Sequence, residues 1–112
     1  MTDKIAQLEE LCKLDPSDET AWFLLGKEFL KVKNFAQAIN AFETAILVKP
    51  EYTAAYRQLG DAFRLAELRE GAIDAYRRGI EVAAQTRDLQ TAKECAVFLK
   101  KLGETPPDIS SL

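Results

Sequence analysis

The sequence predicts an all-α fold made of repeated helical hairpins, and three features carry that prediction. Residues 19–52 align on residues 53–86 without a gap. Within each unit apolar residues recur at the i, i+3, i+4, i+7 spacing of an amphipathic helix. Capping residues and a proline fall where such helices would start and stop.

The elements follow in order. Residues 3–14 read as a lone leading helix: Leu8, Leu11, Leu14, Asp15 and Pro16 precede Phe42, Ala45, Val48, Lys49 and Pro50 by the repeat period. Residues 19–32 form the next helix, with Trp22, Leu25, Gly26 and Phe29 as its apolar stripe. Asn34 with Gln37 resembles a capping box opening a helix over 35–48, whose stripe is Ala38, Ala41, Phe42 and Ala45. Pro50 stands just past its end, where it breaks nothing. The second unit repeats this as helices 53–66 and 69–83, with Ala21/Ala55, Leu25/Leu59, Gly26/Gly60, Phe29/Phe63, Ala38/Ala72 and Ala41/Ala75 among the identical pairs. Ala84 stands where a terminal proline would be, so the helix that starts at residue 69 is free to run past Val82. A last amphipathic helix over 88–102 carries Leu89, Ala92, Ala96 and Leu99, with Asp88 as N-cap and Gly103 as stop. It reads as a cap over the open face of the second repeat. The tail 104–112, with paired Pro106 and Pro107, reads as extended or disordered.

Trp22-x-x-Leu25-Gly26-x-x-Phe29, then Ala38-x-x-x-Phe42, then Pro50, resembles the signature of the tetratricopeptide repeat family. Phe29 replaces the family's tyrosine, and the second unit carries Tyr56 for the tryptophan and Gly79 for the second helix's small alanine. The resemblance covers roughly residues 3–86, with residues 1–103 as one domain. It implies antiparallel helix pairs stacked into a short right-handed superhelix, whose first helices line a concave face that binds a peptide or helical segment of another protein. Some members of the family grip a C-terminal carboxylate with lysines and asparagines. The positions taken as corresponding are Phe23, Lys27, Gln58, Asp88 and Ala92, and they do not carry that pattern.

Composition bounds the chemistry. The chain has 112 residues, a formal charge of -3 and no histidine, which removes histidine-based catalysis and histidine-ligated zinc. No glycine loop for phosphates, nucleophile–base pair or metal-ligand cluster stands in the sequence. The expectation is therefore no enzyme, no cofactor and no metal. The acidic balance argues against nucleic acid, and no apolar run is long enough to span a membrane. The start Met1-Thr2-Asp3-Lys4-Ile5 lacks a signal core, and Cys12 and Cys95 are isolated from each other. Both features predict a cytoplasmic chain with free thiols.

Helix geometry selects the candidate binding residues. Rotating by about 100° from the core stripe of helix 19–32 brings up Phe23, Lys27 and Leu30, and the same flank of helix 53–66 presents Arg57, Asp61 and Arg64. An aromatic, a leucine, three cations and one acid select an acidic ligand with an apolar anchor. The alternatives are that Phe23 and Leu30 are ordinary exposed apolar groups or pack under the terminal helix, and that the cations are solvated or paired with Asp61. A second functional reading is self-association through the terminal helices, carried by Ile5, Leu8, Phe98 and Leu102.

Overall fold

The computed structural model describes residues 3–110. Met1 and Thr2, on which part of the amino-terminal reading rests, and Ser111 and Leu112 of the tail lie outside the described residues. Six helices follow in order: α1 (Asp3–Leu14), α2 (Glu19–Lys31), α3 (Phe35–Val48), α4 (Thr53–Leu65), α5 (Arg69–Thr86) and α6 (Leu89–Lys101). No strand is present among the described residues. None of these helices is long and apolar enough to cross a membrane.

Local chemistry sets the helix starts. The carboxylates of Asp18 and Asp88 and the amide of Asn34 accept from the backbone N–H three residues on, at Ala21, Thr91 and Gln37. Each satisfies one of the orphan donors of a helix N-terminus.

The repeat is visible bond by bond. After α2, the backbone N–H groups of Val32, Lys33 and Asn34 donate to the carbonyls of Glu28, Leu30 and Phe29. After α4, Ala66, Glu67 and Leu68 do the same to Ala62, Arg64 and Phe63. Lys33 and Glu67 take the left-handed conformation at φ 61° and 62°. The turn before each first helix also repeats: Asp15 donates to Leu11 as Lys49 does to Ala45. The Trp22 indole donates to the Pro16 carbonyl at 2.9 Å, as the Tyr56 hydroxyl does to Pro50 at 2.6 Å. α1 therefore takes the place of a second helix in the repeat.

The same comparison changes the reading of α6. Leu102, Gly103 and Glu104 donate to Phe98, Lys100 and Leu99, and Gly103 has φ 85°. That is the turn after α2 and α4, displaced by two residues because α5 runs on to Thr86 before Arg87 turns the chain. In this register Ala92, Cys95, Ala96 and Leu99 occupy the places of Trp22, Leu25, Gly26 and Phe29. The N-caps Asp18 and Asp88 share this register, and α6 packs on α5 and α4 as α4 packs on α3 and α2. α6 thus takes the place of the first helix of a third repeat, whose signature is hidden from a gapless alignment.

Packing explains the glycines of the signature. A Cβ at Gly26 would overlap the ring of Phe42, and one at Gly60 the ring of Tyr76. Both rings are wholly buried, so each hairpin closes by an aromatic ring pressed on bare backbone. Burial corrects the residues named above for self-association. Leu8 is buried, and Ile5, Phe98 and Leu102 pack against the core. Phe98 stacks on Tyr76 with centroids 5.4 Å apart. Over residues 104–110 the tail has no regular structure, but Glu104 pairs with Arg69 at 3.1 Å and Arg77 at 2.7 Å, and Ile109 packs on the second core cluster.

Candidate protein-binding surface

Two triads face the same way from successive first helices. On α2, Phe23 packs on Phe42 and Tyr52, with ring centroids 5.8 and 4.9 Å away. On α4, Asp61 and Arg64 meet Tyr76, the counterpart of Phe42. Lys27 is exposed and holds its ammonium 5.5 Å from the Phe23 centroid, and Leu30 is half-buried. Phe23 is thus neither a free apolar group nor covered by the terminal helix: its ring is half-buried against Phe42 of α3 and Tyr52, the N-cap of α4.

The α4 triad is a closed electrostatic unit. The Tyr76 hydroxyl donates to Asp61 at 2.6 Å, and Arg64 Nε donates to the Tyr76 oxygen at 3.2 Å. Arg57 and Arg64 approach the same carboxylate at 3.4 and 3.5 Å. Asp61 is only 7% exposed, so its charge is neutralised within the fold. Burial, and then the bond to Asp61, push the Tyr76 hydroxyl well above the ordinary phenol range. Phe98 of α6 lies under both guanidiniums, 4.7 Å from Arg64 and 5.9 Å from Arg57. The arginines remain about one-third exposed. They anchor the third repeat from one side and offer charge from the other.

The register of α6 adds a third column that a gapless reading missed. Lys93, Val97 and Lys100 stand where Arg57, Asp61 and Arg64 stand on α4. All three are exposed, Val97 by 50%. The signal was present in the sequence as Cys95-Ala96-x-x-Leu99, two residues out of phase. The same shift corrects the third-repeat counterparts in the carboxylate-gripping pattern: they are Gln90 and Glu94, not Asp88 and Ala92. Neither is a lysine.

A larger cavity of about 450 Å³ opens on another side, between α1, α2 and α3, lined by Cys12, Trp22, Leu25, Phe29, Asn40 and Thr44 among others. Its origin is a short side chain. In the next seam Arg78 reaches over Tyr56, with its guanidinium 5.3 Å from the ring centroid, and pairs with Glu43 at 3.6 Å. Thr44 occupies the place of Arg78 and cannot fill the gap.

The sequence profile of the tetratricopeptide repeat family matches residues 23–88, more than half of the chain. The chain belongs to the tetratricopeptide repeat family. It is similar to the TPR repeat-containing protein PA0015 of Pseudomonas aeruginosa, 32% identical over 98 residues that cover 88% of this chain and 93% of that one. Its fold is similar to the solution structure of protein BPP2914 from Bordetella parapertussis, with a TM-score of 0.79, 28% identity, and coverage of 92% and 90% of the two chains. The crystal structure of MamA is also similar, with a TM-score of 0.68 and 25% identity, over 88% of this chain and 64% of that one. Membership carries the family's general role in protein interaction and scaffolding.

Proposed function

We propose that this tetratricopeptide repeat protein is an adaptor that holds an extended, acidic segment of another polypeptide, with an aliphatic anchor, along the inner flank of α2, α4 and α6. Charge is the observation that carries this reading. The nine flank positions are Phe23, Lys27, Leu30, Arg57, Asp61, Arg64, Lys93, Val97 and Lys100, and they include five cations in a chain whose net charge is -3. Their one acid, Asp61, is buried and takes up one of those charges through Arg57 and Arg64, which leaves the strip net positive. A positive strip on an acidic molecule steers acidic partners and rejects basic ones. Phe23, Leu30 and Val97 supply the apolar contacts.

The chain's own tail supports an extended ligand. Pro106 and Ile109 lie beside Lys93, Val97 and Lys100 along a groove of about 360 Å³, and Asp108 stands between them in sequence.

Reversing charge at exposed lysines tests the reading. Lys27→Glu with Lys93→Glu and Lys100→Glu is expected to change stability by no more than about 0.5 kcal/mol per substitution. It should weaken retention of a partner captured on the immobilised chain by tenfold or more at low salt, the difference shrinking as salt rises. Equal retention by parent and variant would move the site elsewhere.

Binding without catalysis also fits the thiols. Cys12 and Cys95 are both buried, and burial pushes the Cys95 thiol from an ordinary 9.0 up to about 12. A thiol reagent at pH 8 is therefore expected to leave Cys95 unmodified until the chain is unfolded. A raised thiol pKa favours the fold fully below pH 9, and that contribution is lost as pH climbs from 9 towards 12. Cys95→Ala should flatten that part of the alkaline stability profile. Free buried thiols suit the reducing cytoplasm, where we place this function.

A further inference from the structure

We propose that copies of this chain associate head to tail, with α1 and α2 of one copy seating on α6 of the next so that α6 and the incoming α1 complete a repeat. This goes beyond the binding of a foreign segment: Lys93, Val97 and Lys100 are shared with the inner flank, but their occupant here is a second copy of the chain. The helices run second, first, second, first, second, first. Turn and packing support this: α1 leads into α2 as α3 leads into α4, and α6 packs on α5 and α4 as α4 packs on α3 and α2. Among the described residues no first helix precedes α1 and no second helix follows α6.

The exposed apolar residues fall where that arrangement requires them. Leu11 occupies the position of Ala45 and Gly79, both buried in their hairpins, yet it is 51% exposed, because among the described residues no first helix packs over it. On α6, Ala96 stands where Gly26 and Gly60 receive an aromatic ring. Here it is half-buried, and it shares a groove with Pro106 and Ile109.

The internal seam between α4 and α6 serves as a template for the junction. There Glu94 meets Arg57 at 3.9 Å, and Phe98 meets Arg64. Leu24 and Glu28 hold the places of Glu94 and Phe98 on α2, and Lys93 and Lys100 those of Arg57 and Arg64 on α6. Transferred to the junction, the seam sets exposed Leu24 beside Lys93 and exposed Val97, and the carboxylate of Glu28 beside Lys100. Two otherwise unexplained apolar side chains meet, and Glu28, paired in its own chain with Lys31 at 3.0 Å and Lys4 at 3.9 Å, shares its charge with Lys100.

In the single chain the tail holds this seat. Glu104 is tied to Arg69 and Arg77, Arg69 also donates to the Leu102 carbonyl at 2.6 Å, and Ile109 packs where a second helix would lie. An incoming α1 must displace it. The contact is heterologous, so it propagates and does not close on a pair.

The test uses full-length chains. Glu104→Gln with Ile109→Ser frees the tail, and light scattering over a hundredfold concentration range should then give a mass that rises past two chains. In that background Leu11→Glu with Leu24→Glu blocks one end and Val97→Glu with Lys100→Glu the other. Each blocked variant alone should stay at one chain with an unchanged helical circular dichroism spectrum and melting temperature, and their mixture should give pairs and nothing larger. Three results would each overturn the proposal: a freed-tail chain that stays single at every concentration, a mass that stops at two chains before blocking, or a mixture of blocked variants that does not pair.

Discussion

Tyr76→Ala is expected to lower the unfolding free energy by about 4 kcal/mol, within the range for deleting a buried aromatic ring. Tyr76 heads the wholly buried side chains by volume among the described residues. Its ring fills the space over Gly60, stacks on Phe98, and carries the hydroxyl that donates to Asp61. Alanine removes all three contacts and opens a cavity between α4, α5 and α6. Tyr76→Phe keeps the ring and removes the bond the hydroxyl donates to Asp61 and the one it accepts from Arg64, so it should cost about 2 kcal/mol. Urea unfolding followed by circular dichroism measures both. Equal losses for alanine and phenylalanine would contradict the packing account, because the hydroxyl would then carry the whole effect.

Arg57→Glu with Arg64→Glu is expected to destabilise the fold by about 3 kcal/mol. That is the low end of the cost of stripping a buried charge of its partners, chosen because the guanidiniums keep about a third of their surface in solvent. Both arginines neutralise Asp61, and both lie over Phe98. Reversal sets three carboxylates around one buried site and removes the cations that hold α6. Adding Asp61→Asn to the double variant should recover part of the loss, since the central like charge is then gone. A double variant as stable as the parent would mean that Asp61 is solvated and the unit is not closed. The expected loss is also why partner binding is better probed at Lys27, Lys93 and Lys100.

The hairpins were legible because their signature residues act locally. Trp22, Leu25, Gly26 and Phe29 announce a helix stripe, and Gly26 announces a close approach. The third repeat was not legible, because α5 is longer than α3 and the turn after it shorter, a net shift of two residues that breaks the period, and because Ala92 and Cys95 stand where a large aromatic and a leucine stand elsewhere. The inward turn of Asp61 is a tertiary event, set by a hydroxyl from another helix. Its signal was nonetheless present as coupled differences between the repeats. Phe42 becomes Tyr76 where Lys27 becomes Asp61 and Phe23 and Leu30 become Arg57 and Arg64. An apolar seam was exchanged for a hydrogen-bonded one. The role of the tail was not legible from Pro106 and Pro107, which forbid a helix but say nothing of where an extended strand would rest.

Residue-resolved amide shift mapping during titration with a captured partner reports on the inner flank most directly. The expected result is a continuous track of shifted amides through Phe23, Lys27 and Leu30 on α2, Arg57 and Arg64 on α4, and Lys93 and Lys100 on α6. Shifts confined to the outer sides of α3 and α5, around Asn40, Leu47 and Asp74, with Phe23 and Arg57 unmoved, would contradict it.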